Sequence, residues 1–292
     1  MTSVAVVAHA RKQLGDGLPE LRRSLERRGF DTPIWHEVQK SKQAPKRVEK
    51  ALAAGADLVF VWGGDGTVQR CIDVMAGTDA TLAILPAGTA NLLANNLGIP
   101  ADLEAAVDIG LHGARRRLDT GTVNGEHFAV MAGCGLDARM IGDADRSLKD
   151  RWGRAAYVWT GARNLRATAV RGTIRIDGEL WFSGELSCVL VGNVGSLFGG
   201  MTVFEDARPD DGRLDVGVVT ATGVTAWLRA FGRLATGNPE RSPFVRTTVA
   251  RRIDVRLDHS LLYELDGGAR SETRKLKIKV RPASMSIAVP AP

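Results

Sequence analysis

The sequence predicts an α/β protein in two parts, a doubly wound, Rossmann-like domain over residues 1–118 followed by a β-rich domain over residues 119–292. Three observations carry that expectation. Strand and helix signals alternate through roughly the first 110 residues, the rhythm of a mostly parallel sheet covered by helices. Two glycine-rich turns punctuate that stretch, each directly after a short apolar run. Beyond Arg115–Arg117 the pattern changes to hairpins, marked by Asn124-Gly125 and Asp177-Gly178, dipeptides that type I′ turns favour.

In chain order, Val4 to Val7 is an apolar run fit for a first strand. Leu18, Leu21 and Leu25 then share one face of a helix reaching Arg28. A second helix begins near Ala44, with Pro45 tolerated in its first turn, Val48 and Leu52 on its apolar face and Gly55 as its stop. Leu58 to Trp62 is a buried strand running into GGDGT, and the helix after it places Val68, Cys71, Ile72 and Met75 at i, i+3, i+4 and i+7. Leu82 to Leu85 is the next strand and leads into PAGTANLLANNLGIP. The second domain carries helical spacing over Leu136 to Arg166 and Val224 to Leu234; its other segments read as antiparallel strands. The pattern leaves open whether the last two, Lys275 to Val280 and Ser284 to Val289, pair within that domain or return to the first.

Composition narrows the function classes. Three widely spaced cysteines, Cys71, Cys134 and Cys188, suggest neither a disulfide framework nor a metal-ligand pair, which points to a reducing, cytoplasmic setting. The N-terminal residues show no signal-peptide pattern and no segment is apolar enough to span a bilayer, so the expected membrane contact is peripheral. A net charge of +6 favours anionic partners, but aromatic content of 5% leaves few platforms for stacking bases, so nucleic acid is not expected.

Both glycine turns sit where a strand ends and a helix begins. There, backbone N–H groups can approach a phosphate and the helix dipole favours the anion. In an open α/β sheet, loops at the carboxyl ends of strands form the ligand crevice, so Gly63 to Thr67 and Pro86 to Asn91 can face one nucleotide. Neither matches GxxxxGK[ST] or GxGxxG, which argues against an ordinary ATPase or dehydrogenase.

VFVWGGDGTVQRCID followed by ILPAGTANLLANNLGIP resembles the diacylglycerol kinase catalytic family, which includes sphingosine kinases and bacterial lipid kinases. GNVGSLFGGM, ARPDDGRLDV and YELDGGA follow in the family's order, so the resemblance covers nearly the whole chain. It implies a diacylglycerol kinase/NAD kinase-like fold, with ATP in a cleft between an α/β domain and a β-sandwich, and transfer of the γ-phosphate to a lipid hydroxyl, diacylglycerol by default. It also implies that Gly63, Gly64, Asp65, Gly66, Thr67, Gly88, Thr89 and Asn91 contact ATP, and that Asp65 lies near the catalytic metal. Asp266, in the position of the family's DGE aspartate, is the implied general base. The DGxLD match implies a structural Mg²⁺ held by Asp211 and the carbonyls of Arg208 and Arg213, an oxygen set suited to that ion. The implied partner is a lipid at a membrane surface; a homodimer is left open.

Three positions depart from the family pattern. His9 stands where an Asn-Pro segment is usual, Leu92 replaces an acidic residue after Asn91, and Gly268 replaces the glutamate of the DGE triplet. Glu264 shares a strand face with Asp266 and is a candidate to compensate. Two other functions compete: an NAD kinase-like enzyme, which shares GGDG but not the PAGTANLLANNLGIP loop, and a non-catalytic lipid- or nucleotide-binding regulator, which Leu92 and Gly268 would suit.

Overall fold

The computed structural model describes residues 2–135, 169–197, 201–223, 226 and 242–291. β1 (Val4–His9), β3 (Leu58–Gly63) and β4 (Thr81–Pro86) are short, mostly apolar runs, and each is buried along its whole length. That is the signature of strands covered on both faces. They pair in parallel, β1 with β3 and β3 with β4. β2 (Ile34–Val38) adds a parallel edge strand beside β1. The sequence pattern did not announce β2, because as an edge strand it is only half-buried and its run is interrupted by His36 and Glu37.

Helices cover both faces. α1 (Leu18–Glu26) buries Leu21 and Leu25 and packs on α5 (Leu103–His112), while α2 (Ala44–Ala53) packs on α3 (Asp65–Met75). Pro45 occupies the first turn of α2, and Gly55 takes the left-handed conformation just beyond its end. The four apolar α3 residues expected to face the core are all buried. Arg27 and Arg28 reach Glu104 and Asp108 across the α1–α5 contact; the exposed Arg27 pair is worth roughly 0–1 kcal/mol, while Arg28 is partly sheltered. The short α4 (Leu92–Asn96) follows the second glycine loop.

The sheet does not end at β4. β18 (Thr273–Val289) is a single long strand: Ser286 and Ile287 pair in parallel with Thr81 and Leu82 of β4, while Arg252 to Arg256 of β15 (Arg252–Leu261) pair antiparallel with its first half. The two final strands expected from sequence are therefore halves of one element, and it joins both bodies. Its register breaks between Arg281 and Met285, where Ala283 has φ 47°. β5 (Ala114–Val123) runs beside both halves, so Leu118 lies within a strand shared by the two parts.

β8 (Val170–Ile176) and β9 (Glu179–Leu186) extend this sheet beyond β15. The second sheet runs β14 (Val245–Ala250), β13 (Leu214–Val219), β10 (Cys188–Gly192), β7 (Met131–Cys134), β16 (Tyr263–Leu265), β17 (Gly268–Ala269). Ile174, Leu186, Ile253, Val255, Leu276 and Ile278 of the first sheet pack with Val189, Val191, Leu214 and Val216 of the second, which makes the β-sandwich. β6 (Glu126–Phe128) pairs with β5, and β11 (Ser196–Leu197) with β12 (Met201–Thr202). Asn124-Gly125 and Asp177-Gly178 both take consecutive left-handed conformations, as type I′ hairpins require. The helical spacing over Leu136 to Arg166 and over Val224 to Leu234 falls almost entirely outside the described residues. All three cysteines are buried and unpaired, and burial pushes the Cys71 and Cys134 thiols up to about 12.

Candidate active site

The two glycine loops meet backbone to backbone. A Cβ built on Gly88 would lie 2.4 Å from the Gly64 Cα, and one on Gly64 would lie 3.0 Å from the Gly88 Cα, so neither loop accommodates a side chain at the crossing. Gly63 is fixed for a local reason, since its Cβ would strike Thr67 at 2.6 Å. Gly66 is different: a Cβ there meets nothing within 4 Å. Gly66 faces open space at the start of α3, where N–H groups and the helix dipole favour an anion.

Side chains fix the loops. The Asn91 carboxamide accepts from Gly88 N–H at 2.9 Å and donates to the Pro86 and Gly88 carbonyls at 3.1 Å, with Asn91 itself in the left-handed region at φ 47°. Asn91 is thus a builder of the loop as well as part of the cavity wall. Thr67 is buried and shares a 2.9 Å hydrogen bond with Ser41, whereas Thr89 stands exposed at the loop tip. Asp65 opens α3, and its Oδ1 accepts the Leu92 N–H at 2.6 Å. Burial raises the Asp65 pKa, opposed by backbone N–H groups at Leu92, Asn91 and Leu93.

Asp266 approaches from the sandwich. With φ 47° it and Gly267, at φ 77°, form the two-residue type I′ turn between β16 and β17. Its carboxylate is buried, at 4% exposure, and bound by three consecutive amides: Val130 and Met131 donate to Oδ1, Ala129 to Oδ2, each at 2.9 Å. Oδ1 therefore has both lone pairs engaged by these donors and Oδ2 one, which leaves Oδ2 able to take a proton. Burial pushes the Asp266 carboxyl up to about 6; the three amides pull it down and the charge of Asp65 pushes it further up. Both carboxylates line one cavity with Gln69, Ile84, Asn91 and Leu93.

Residues 5–123 match the model of the diacylglycerol kinase catalytic domain, and residues 130–289 match that of the YegS C-terminal NAD kinase β-sandwich-like domain. The chain belongs to the diacylglycerol kinase catalytic-domain family. Among lipid kinases of this family, a Pseudomonas aeruginosa (strain UCBPP-PA14) protein named "Probable lipid kinase YegS-like" is 36% identical over 252 residues, covering 85% of this chain and 82% of that protein. The Bacillus subtilis (strain 168) diacylglycerol kinase is 30% identical over 256 residues, 86% of this chain and 83% of that one. A crystal structure of a diacylglycerol kinase from Bacillus anthracis str. Sterne superposes with a TM-score of 0.78 at 24% identity, covering 98% of this chain and 96% of the other. An NAD kinase from Archaeoglobus fulgidus solved with ATP reaches 0.54 at 13% identity, a likeness of fold. Membership in this kinase family implies use of ATP.

The segment expected to hold Mg²⁺ is exposed at Arg208, Asp211 and Arg213. Asp211 Oδ1 accepts the Arg213 N–H at 2.9 Å and Asp210 pairs with Arg116 at 2.6 Å. Burial, with Asp211 and Asp206 nearby, pushes the Asp215 carboxyl up to about 6. Among the described residues no three acidic, histidine or cysteine side chains converge as a metal cluster; one carboxylate with two carbonyls is not such a group.

Two buried polar residues escaped the sequence reading. Asp119, at 3% exposure, accepts from Gly212 N–H and Ala283 N–H through its two carboxylate oxygens. The Asn193 carboxamide donates to the Asp119 and Ala129 carbonyls. Little in the sequence signals Asp119, because it lies in a largely polar strand, ARRRLDTGTV, where an acid reads as surface. Two of the three departures, His9 and Leu92, have a plain local setting. His9 Nδ1 accepts the Arg11 N–H, and burial lowers its pKa. Leu92 is buried. Glu264 is buried, acts on Cys188 and is not part of the cavity wall shared by Asp65 and Asp266.

Proposed function

We propose that the chain transfers the γ-phosphoryl group of ATP to the hydroxyl of a lipid, with diacylglycerol as the acceptor and phosphatidic acid as the product. The observation that supports this reading most strongly is that Asp266, a buried carboxylate with one uncommitted Oδ2 lone pair, shares a cavity wall with Asp65, which opens α3 at the first glycine loop, and with Asn91, which builds the second. Gly63 to Thr67 and the Pro86 to Asn91 loop hold the phosphates with backbone N–H groups. Oδ2 of Asp266 takes the proton of the lipid hydroxyl as its oxygen bonds to phosphorus, and the bond to the departing ADP oxygen breaks. Bound Mg²⁺ supplies charge neutralisation at the phosphates, with Asp65 placed to serve it and a second, structural ion at Asp211. Positioning and electrostatics carry most of such a reaction.

The lipid is reached by peripheral contact with a membrane surface; no helix among the described residues is long and apolar enough to cross one. The test is transfer of γ-labelled phosphate from ATP to diacylglycerol and other lipid hydroxyls in mixed micelles, with NAD in parallel. An organic-extractable product that disappears in Asp266→Asn supports the proposal. Label on NAD, or ATP binding with no transfer to any acceptor, would sink it.

A further inference from the structure

The Arg270 side chain covers the turn at Gly268. A Cβ on Gly268 would lie 2.8 Å from Arg270 Nη1, because the Arg270 guanidinium folds back over the turn and donates to the Gly268 carbonyl at 2.8 Å. That guanidinium is held on its other edges. Its Nε donates to both Glu126 oxygens at 2.9 and 2.8 Å, and its Nη2 donates to Glu126 Oε1 and, at 3.1 Å, to Gln69 Oε1. Side-chain exposures of 13% for Arg270 and 28% for Glu126 make this a sheltered, forked pair.

The clamp joins the two halves of the site. Gln69 lies one turn along α3 from Asp65 and is itself buried at 2% exposure. Its amide also donates to the His127 carbonyl at 2.6 Å, and Asp73, a further turn along, accepts the His127 N–H at 2.8 Å. β6 is thereby pinned to α3, and the chain leaving β6 becomes the Ala129 to Met131 amides that hold Asp266. Arg270 pins the other partner, the hairpin that carries Asp266. The fields agree with this geometry: the Arg270 pKa is raised, first by its hydrogen bond to Glu126 and also by the charge of Asp266.

We propose that Arg270 is a positioning residue for Asp266: clamped by Glu126 and Gln69, it fastens the base-bearing hairpin to α3. The assignment rests on reading Asp266 as the base.

The test uses the full chain with Arg270→Ala and Arg270→Lys. Steady-state kinetics separate kcat from the KM for ATP, and hydrogen exchange at the Ala129, Val130 and Met131 amides reads the seating of Asp266 without any substrate. Arg270→Ala should lower kcat about tenfold to a hundredfold with little change in KM for ATP, and should speed exchange at those three amides selectively. Arg270→Lys, which keeps the charge but not the fork, should recover part of both and serves if the alanine variant fails to fold. Unchanged exchange and kcat would overturn the proposal, as would a general rise in exchange throughout the sandwich. An inactive wild-type chain would defeat the kinase reading alone, and the amides would still report on the clamp.

Discussion

The Asp65 carboxylate accepts the backbone N–H of Leu92 at 2.6 Å, so the residue that opens α3 also anchors the start of α4. One side chain thus has two duties, a structural one that needs only an acceptor and a chemical one that needs charge. Asp65→Asn keeps an acceptor and removes the charge: folding should persist while transfer falls on the order of a hundredfold or more. Asp65→Ala also orphans the Leu92 N–H, at a cost of roughly 1–3 kcal/mol. Thermal melting and kcat measured on both variants separate the two duties.

The contact between Gly64 and Gly88 makes a graded prediction. Gly88→Ala places a Cβ 2.4 Å from the Gly64 Cα and 2.5 Å from Asn91 Oδ1, so the loops must part, costing about 1–3 kcal/mol. Gly64→Ala meets its neighbour at 3.0 Å and should be milder. Gly66→Ala meets no protein atom within 4 Å. It should leave the melting temperature nearly unchanged and still weaken ATP binding, because the proposed phosphate site lies at this exposed start of α3. Calorimetric titration with ATP beside thermal melts checks all three.

These contrasts show what the sequence carried. The parallel strands were legible because β1, β3 and β4 are short apolar runs ending in glycine turns or polar loops, and α3 because its buried residues keep helical spacing. Hairpins at Asn124-Gly125 and Asp177-Gly178 were legible because left-handed pairs demand those residues. β18 was not, since nothing local tells a strand to pair with β15 at one end and β4 at the other. The Arg270–Glu126 clamp spans 144 residues and involves two charged residues that read as ordinary surface. Long-range polar pairing leaves no periodic trace.

Acid should silence the site. Asp266 must be ionised to accept a proton, and its carboxyl lies at about 6, so kcat should fall as the pH drops through that value. Because Asp65 pushes this value up, Asp65→Asn should move the acid limb to lower pH in whatever activity remains. Stability runs the other way. Burial raises Asp266 from 3.8, so the folded chain holds this proton more tightly than the unfolded one. Its contribution is fully present below 3.8 and is lost as the pH rises to about 6. A pH series of kcat and of urea midpoints should show these opposite slopes.

The Asp211 loop predicts a metal-dependent stability. A bound cation would relieve the repulsion of Asp211 and Asp206 on the Asp215 carboxyl, which adds to burial in raising it to about 6. Chelation should lower the melting temperature of the wild type, and Mg²⁺ should restore it. Asp211→Asn should start lower and respond to neither. Equal responses in both proteins would remove Asp211 from the ligand set.

Asn193 offers the sharpest link between the halves of the molecule. Its carboxamide donates at 2.9 Å to the Asp119 carbonyl and at 3.0 Å to the Ala129 carbonyl, while Asp119 Oδ2 holds Gly212 and the Ala129 N–H holds Asp266. Asn193→Ala leaves two buried carbonyls without this donor, at a cost of roughly 1–3 kcal/mol. Asn193→Asp keeps the size but turns the donor into a charged acceptor facing those same carbonyls, so it should be the more damaging change. Urea midpoints rank the two variants, and the alanine variant should also lose kcat at temperatures where it remains folded, because the peptide that carries the Ala129 carbonyl and the Val130 N–H, the donor to Oδ1 of Asp266, is no longer fixed from behind.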